Sequence, residues 1–276
     1  MRPQRLWQQS NQLSPSPDDL NAIINAALDA AARETLPRFR QFVDVANKES
    51  RGFDPVTEAD REAERVIREV IEGRFPDHGI VGEEFGDKTG STPYKWIIDP
   101  IDGTRAFISG IPVWGTLLAL YENDRPVAGA MEQPFTGERF LALDGQSTLY
   151  RQGQTTPLKT GQVENLEHAT LMTTDPNLFV AEEDQSYFVL QSACQLTRYG
   201  CDCYAYGMLA SGHVDLVVES GLNIYDIAAL IPIIENAGGL VTDWNGGSAH
   251  NGGQILAAAN QSIHRAAVDL LGTAQN

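Results

Sequence analysis

The segment WIIDPIDGTRAF at residues 96–107 places two carboxylates three residues apart at the end of an apolar run. Residues 96–98 predict the end of a buried strand, because aromatic and β-branched side chains suit a pleated, covered surface. Asp99 and Asp102 follow at the exit of that strand, where Gly103 favours a turn. Two acids held this close by a stiff backbone repel each other unless a positive charge lies between them.

Acid-bearing segments of the same kind recur along the chain. They are FDPVTEAD (53–60), VGEEFG (81–86), DPIDGT (99–104) and ESGLNIYD (219–226). Each alone is typical of a solvated loop or a helix cap, but together they offer the oxygen ligands of a hard cation such as Mg²⁺, which binds carboxylates, waters and substrate phosphate. The candidate ligands are Glu83, Asp99, Asp102 and Asp226. Asp99 is placed to bridge two ions roughly 4 Å apart.

A candidate phosphate site follows the second of these acids. Asp102, Gly103 and Thr104 lead into Arg105 and an apolar stretch, a pattern that predicts a turn followed by a short helix. The amides of Gly103 and Thr104 would then be unpaired at the positive end of the helix dipole, where phosphate binds. Gly103 also permits close approach of the backbone.

Four strings carry a family resemblance: DPVTEAD, GEE, DPIDGT and YDIAAL…ENAGG. In order and spacing they resemble the motifs of the inositol monophosphatase family of Mg²⁺-dependent, lithium-sensitive phosphatases, over roughly residues 18–270. The flanks RAFISGIPVWGTLLAL and RYGCDCYAYGMLASGHVDLVVESGLNIYDIAALIPIIENAGG are most similar to the histidinol-phosphatase branch. Tyr225 stands where inositol phosphatases commonly have Trp, which also favours that branch. The implied fold is a layered α/β sandwich of αβαβα type, with the active site where its two halves meet.

The resemblance also implies a role for each matching residue. Glu83, Asp99 and the carbonyl of Ile101 would hold one Mg²⁺, while Asp99, Asp102 and Asp226 would hold a second. A looser third ion would rest on Glu83. Thr104 would position the attacking water, Asp54 would hold the Thr104 hydroxyl, and Glu84 would act outside the ligand shell.

Substrate recognition is predicted from the chemistry of histidinol, whose amine and imidazole require acceptors or anions. Asp202, Glu219 and Asn223 lie in segments expected to face the leaving group, although Asp202 also fits a solvated loop acid. The spacing of Glu219 ahead of Asp226 matches the substrate-binding acid of the family. Arg105 is a candidate phosphate ligand or, equally, the partner of a surface acid.

The composition and charge of the chain disfavour some classes of binding partner. The 276-residue chain is 42% hydrophobic and carries 37 Asp and Glu against 20 Lys and Arg, a formal net charge of −17. Nucleic acids and anionic membranes are therefore poor partners, and phosphate binding requires cations. Three clustered cysteines without paired spacing argue against disulfides and structural zinc, and predict a cytoplasmic protein. No apolar stretch reaches the roughly 18 to 20 residues that span a bilayer.

The pattern of elements predicts a polar arm over residues 1–17 and two halves, residues 18–150 with most of the metal ligands and residues 151–276 with the last ligand and the recognition residues. The boundary is expected in the polar stretch 151–167. Helices are expected over 18–43 and from Thr57 to about residue 75. Strands are expected at 79–81, 95–98, 114–121, 125–133 and 139–143, followed by alternating strands and helices from about Ala169.

The sequence thus predicts an Mg²⁺-dependent phosphomonoesterase that hydrolyses L-histidinol phosphate in histidine biosynthesis. Inositol-1-phosphate, a nucleotide 3′-phosphate or a sugar bisphosphate are alternative substrates within the family. A regulatory binding role in transcription or ribosome assembly is the non-enzymatic alternative, which the charge of −17 disfavours. Family members are often dimers, and the sequence leaves a homodimer open.

Overall fold

The computed structural model describes residues 14–41, 45–47, 55–180 and 182–273. The helices are α1 (Pro17–Thr35), α2 (Glu58–Arg74), α3 (Thr104–Ile108), α4 (Glu182–Ala193), α5 (Asp202–Ala210), α6 (Ile224–Ile227), α7 (Leu230–Asn236) and α8 (Gln261–Thr273). The strands are β1 (Ala46–Asn47), β2 (Pro55–Val56), β3 (Gly79–Gly82), β4 (Tyr94–Asp102), β5 (Gly115–Glu122), β6 (Arg125–Gln133), β7 (Glu138–Leu143), β8 (Gln146–Arg151), β9 (Gln154–Pro157), β10 (Thr170–Thr173), β11 (Leu196–Tyr199), β12 (Leu216–Leu222), β13 (Leu240–Thr242) and β14 (Gly253–Ala258).

A seven-stranded sheet contains β3 to β9 in sequence order. Its first pair is parallel and the other pairs are antiparallel, so most of the sheet is a meander. The β5–β6 hairpin closes at Asn123 and Asp124, whose φ angles of 49° and 64° suit the turn type that matches the twist of hairpin strands. These residue types tolerate the left-handed region, which explains the turn.

A second sheet of five strands has the order β11-β10-β12-β14-β13. The pairs of β10 are parallel, whereas β14 is antiparallel to both of its neighbours. Helices separate the strands of this sheet along the chain, as the sequence predicts, except between β13 and β14.

Alternating side chains on the strands create the layers. On β4, Trp96 and Ile98 pack against α1 and α2, while Ile97 faces the core that contains α5 and α7. On the second sheet, Val217 faces this same middle core, whereas Leu216 faces the outer core with α4 and α8. The period of two in a strand therefore gives five layers, helix, sheet, helix, sheet, helix. The predicted αβαβα sandwich is confirmed.

Several element bounds differ from those expected. Helix α1 ends at Thr35 rather than near residue 43, because Pro37 lacks an N–H and disfavours helix in the residue before it. The strands β8 and β9 carry mostly exposed polar residues, so they lack the apolar alternation by which a strand is recognised.

The predicted division into halves stays a prediction. The first sheet runs through Pro157 and the second begins at Thr170, on either side of the residues expected to form the boundary. The middle core takes side chains from both sheets. Residues 1–13 of the predicted arm lie outside the described residues. Within the described ranges, no helix has both the length and the apolar character needed to cross a membrane.

Candidate active site

A cavity of about 490 Å³ opens where the carboxyl end of β4 meets β12 and the first residues of α3, α5 and α6. All predicted site residues that the structure describes line it, namely Glu83, Asp99, Ile101, Asp102, Gly103, Thr104, Arg105, Asp202, Glu219, Asn223 and Asp226. These residues span more than half of the chain, and the fold brings them to one cavity. Asp54 lies outside the described residues, so its predicted role stays a prediction.

Three carboxylates form the acidic cluster of this cavity: Asp99, Asp102 and Asp226 each offer an oxygen within 4.8 Å of the others. In a regular strand, residues three apart point to opposite faces. The pairing of β4 with β5 shifts between Asp99 and Asp102, where Pro100 and Ile101 of β4 oppose the single residue Thr116 of β5. This bulge inserts the extra residue that lets both side chains face the same space.

Asp226 joins the cluster from the first turn of α6. Its Oδ2 accepts a hydrogen bond of 2.6 Å from the backbone N–H of Asn223, the residue that begins the helix. This capping contact fixes one carboxylate oxygen, and the short helix aims the group at the end of β4. Asn223 itself lines the cavity, as predicted for a substrate contact.

The cluster is electrostatically unfavourable without a cation. Burial raises the pKa of Asp99 well above its usual range, and the carboxylates of Glu83, Asp102 and Asp226 raise it further. Burial and the charges of Asp202 and Asp226 do the same to the pKa of Asp102. A hydrogen bond of 2.7 Å from the Cys203 N–H to Oδ2 of Asp102 opposes this shift only in part.

One oxygen supports a metal site in particular. Oδ1 of Asp99 has no hydrogen-bond partner among the described residues. The residue is only 2% exposed, so solvent does not supply a partner either. A buried carboxylate oxygen requires a donor or a cation, and hard oxygen donors suit Mg²⁺ and similar ions. The residues therefore fit a divalent ion. Glu83 is not a member of the cluster, but it lies close enough to raise the pKa of Asp99.

The hydroxyl of Thr104 is held at the start of α3. Thr104 Oγ1 lies 3.0 Å from the carbonyl of Ile101 and 3.2 Å from Oδ1 of Asp60. The other oxygen of Asp60 accepts from the N–H and Oγ1 of Thr57, at 2.8 and 2.6 Å. Asp60 thus caps α2 with one oxygen and holds Thr104 with the other.

The sequence analysis assigned Asp60 no role in the site, and the family resemblance gave the contact with Thr104 to Asp54. A signal was present, because an acid in a capping box uses one oxygen for the cap and leaves the second for another partner. The structure shows a contact between Thr104 and Asp60, which is fully buried, while the predicted contact of Asp54 lies outside the described residues.

Glu64 is a second residue that the sequence analysis missed. It is fully buried one turn after Asp60, pairs with Arg68 at 2.7 Å, and accepts a 2.7 Å hydrogen bond from the N–H of Glu84. These contacts hold the loop that carries Glu83. A Cβ on Gly82 would lie 2.0 Å from Oε1 of Glu64, so a side chain at the end of β3 would displace the Glu64 carboxylate. The spacing from Asp60, one helical turn, was the available signal.

Asp202 lines the cavity beside Gly103, and its charge raises the pKa of Asp102. It begins α5 with a φ of 45°, and a Cβ on Gly103 would lie 3.0 Å from its Cγ. Gly103 itself has a φ of 79°, so two turns in the left-handed region meet here. Burial raises the pKa of Asp202 to about 6, and the positive charge of Arg105 opposes that shift.

Glu219 lies on β12 and is 4% exposed. Its Oε1 accepts from the N–H and Oγ1 of Thr174 at 2.7 and 2.9 Å, and its Oε2 accepts from Oγ1 of Thr173 at 3.2 Å. Burial raises the pKa of Glu219 to about 7, although these hydrogen bonds favour the charged form. Its carboxylate is therefore held rigidly at the cavity wall.

The chain is similar in sequence to one family of known proteins. The model of the inositol monophosphatase family matches residues 17–275. A bifunctional phosphatase, IMPL2, from the chloroplast of Arabidopsis thaliana is 39% identical over 265 residues, covering 92% of this chain and 75% of that protein. A histidinol-phosphatase from Chlorobaculum parvum is 34% identical, covering 93% of this chain and 98% of that protein.

Among solved structures, an inositol monophosphatase from Zymomonas mobilis aligns with a TM-score of 0.82 and 37% identity, covering 94% of this chain and all of that one. Other relatives bear the names Nus factor SuhB and inositol-1-monophosphatase. The relatives thus differ in the activity or role that their names give.

Proposed function

The chain belongs to the inositol monophosphatase family, and from this premise we propose that it is a metal-dependent phosphatase whose substrate is L-histidinol phosphate. One observation carries the proposal. The cavity is lined by the acidic cluster and by two further buried or half-buried acids, Asp202 and Glu219, which lie outside that cluster. A small phosphate ester with a cationic or hydrogen-bond-donating leaving group fits such a cavity.

The acidic cluster would hold the ions. Asp99, Asp102 and Asp226 would be the ligands of one Mg²⁺, and Glu83, Asp99 and the Ile101 carbonyl those of another, with Glu83 also serving a looser third. Bound ions would neutralise the ester oxygens and lower the pKa of a water molecule. Their number and identity are part of this proposal.

The chain's own residues would orient the reaction. The Thr104 hydroxyl donates to Asp60 or to the Ile101 carbonyl, so an Oγ1 lone pair is available to accept from a water molecule. Thr104 would therefore align the nucleophile, and Asp60 would fix the rotamer of Thr104. Gly103 and Arg105, both at the cavity wall, would contact the phosphate.

The leaving-group side supports histidinol over a neutral polyol. Histidinol carries an amine and an imidazole, whose N–H groups require acceptors. Asp202, Glu219 and Asn223 line the same cavity as the acidic cluster and offer carboxylate or amide oxygens. The resemblance to proteins named histidinol-phosphatase favours the same substrate.

A kinetic panel tests the proposal. The purified protein with Mg²⁺ is assayed against histidinol phosphate, inositol-1-phosphate, a nucleotide 3′-phosphate and a sugar bisphosphate, with kcat/KM as the measure. We expect the highest value for histidinol phosphate, and a loss of that preference when Asp202 is replaced with Asn. Equal or faster turnover of inositol-1-phosphate would refute the substrate assignment and leave the phosphatase assignment intact.

A regulatory role is a second candidate, because some relatives bear the name Nus factor SuhB. The Asp102→Asn variant, used as bait in cell extract, separates the two roles. A specific partner retained by this variant while turnover is lost would favour regulation. The expected absence of nucleic-acid and membrane partners, the cytoplasmic location and the homodimer stay predictions.

A further inference from the structure

Tyr206 is a buried residue of the cavity wall whose hydroxyl has no use in the mechanism above. It lies on α5, one helical turn after Asp202, and the two residues share a face of that helix. Tyr206 is 2% exposed, and its hydroxyl oxygen has no hydrogen-bond partner within the part of the chain that the structure describes. A buried hydroxyl without a partner is costly and rare in native proteins.

The surroundings of this hydroxyl define what it would bind. Burial raises the pKa of Tyr206 far above its usual range, and the charges of Glu219, Asp102 and Asp226 raise it further. The phenol therefore keeps its proton and acts as a donor. Tyr206 lines the same cavity as the acidic cluster and Glu219, and the charges of both act on it.

The carboxylate of Glu219 can accept one further hydrogen bond. Its carboxylate offers about four lone-pair positions, and Thr173 and Thr174 occupy three of them. One position remains for a donor from a ligand. The phenol of Tyr206 and the carboxylate of Glu219 thus present one donor and one acceptor in the same part of the cavity.

We propose that Tyr206 is a specificity-determining residue, whose hydroxyl donates a hydrogen bond to the unprotonated nitrogen of the substrate's imidazole while Glu219 accepts from the other ring nitrogen. A neutral imidazole carries one N–H donor and one nitrogen acceptor, so Tyr206 and Glu219 together would form a hydrogen bond with each ring nitrogen. The inference rests on the proposed function, since it names the contact that would distinguish histidinol phosphate from esters without such a ring.

The test compares two substrates that differ only in the ring. L-Phenylalaninol phosphate keeps the amine and the phosphate of L-histidinol phosphate but replaces imidazole with phenyl. Both are assayed at pH 8, where the imidazole is neutral, with the wild type and the Tyr206→Phe variant. We expect the variant to lose on the order of 10-fold in kcat/KM for histidinol phosphate, mainly through KM, and less than about 2-fold for phenylalaninol phosphate.

Tyr204→Phe is the matched control, because Tyr204 lies on the same helix and its hydroxyl donates to Glu138 at 2.7 Å. This control should leave the ratio of the two substrates unchanged and lower the melting temperature. Tyr206→Phe should leave the melting temperature of the ligand-free protein unchanged or raise it, since no protein hydrogen bond is lost. Inhibition by the product L-histidinol should weaken by the same factor as kcat/KM.

The outcomes separate the two claims. In one outcome, the wild type prefers histidinol phosphate over inositol-1-phosphate, but Tyr206→Phe lowers kcat/KM equally for histidinol phosphate and phenylalaninol phosphate, or for neither. That outcome overturns the role of Tyr206 and leaves the proposed function intact. A drop in melting temperature larger than that of Tyr204→Phe would reveal a protein partner for the hydroxyl and also overturn it. A wild type without the preference refutes the proposed function and, with it, this inference.

Discussion

Replacing Asp102 with Asn is expected to stabilise the metal-free protein and to weaken its response to Mg²⁺. Asp102 contributes one of three carboxylate oxygens that lie within 4.8 Å of one another. At that separation and an effective dielectric constant of about 20, each pair of charges repels by about 3 kcal/mol. The oxygen of Asn can still accept from the Cys203 N–H, while its amide hydrogens face the remaining acids.

Part of the repulsion is already relieved, because burial and neighbouring charges raise the pKa of Asp99 and Asp102 and favour their protonation. We therefore expect a gain of about 1 to 3 kcal/mol in the free energy of unfolding without metal. For a chain of 276 residues, this corresponds to a rise in melting temperature of about 2 to 5 °C. Turnover should be nearly abolished, since a neutral amide is a poorer ligand for Mg²⁺ than a carboxylate.

The assay is a thermal melt in EDTA and then in a series of Mg²⁺ concentrations. The melting temperature of the wild type should rise with the Mg²⁺ concentration, because an ion that binds only the folded state stabilises it. The melting temperature of Asp102→Asn should rise less. Asp124→Asn is the control, because the side chain of Asp124 is 90% exposed on a hairpin turn. A variant that melts lower than the wild type in EDTA and shows an unchanged Mg²⁺ response would refute the reasoning.

Three further predictions follow from the contacts around the cavity. Thr104→Ala should lower kcat by about 100-fold or more with a small change in KM, whereas Thr104→Ser should keep most of the wild-type kcat. Equal kinetics of the wild type and both variants would exclude a role for the hydroxyl. Gly82→Ala should cost about 2 to 4 kcal/mol in urea unfolding because its Cβ displaces Glu64, whereas Gly86→Ala, which meets nothing within 4 Å, should cost less than about 0.5 kcal/mol. Glu219→Gln should flatten the pH dependence of stability. The pKa of this carboxyl is about 7 in the folded state against about 4.5 in the unfolded chain, so its contribution of about 3 kcal/mol to the free energy of unfolding is fully present below pH 4.5 and is lost as the pH rises through 7. Parallel pH profiles for the wild type and Glu219→Gln would contradict that assignment.

The chemistry of the site was accessible from the sequence because it resides in residue types and local patterns. Carboxylates at a strand exit, a glycine that permits a left-handed turn and a threonine at a helix start are local features, and the motifs that contain them gave the family correctly. The apolar runs in β4 and β5 predicted strands for the same reason, since they are local features of the sequence.

Other features depended on contacts between distant segments. The bulge between Asp99 and Asp102 exists only through pairing with β5, and the position of Asp226 beside them depends on α6 docking against β4. The second oxygen of Asp60 finds Thr104 across 44 positions of sequence, which no local pattern encodes. Likewise, nothing in the string DCYAYG distinguishes the hydroxyl of Tyr204, which donates to Glu138, from that of Tyr206.

The sequence by itself therefore determined which groups this protein can use: oxygen ligands for a hard cation, a hydroxyl for a water molecule and a strongly acidic surface. Only the tertiary structure decided which of those groups meet, how deeply each is buried and which polar atoms are left without partners. The physical reason is that residue type sets the available charges and hydrogen-bonding atoms, whereas distance and desolvation, which set their energies, arise only when remote segments pack.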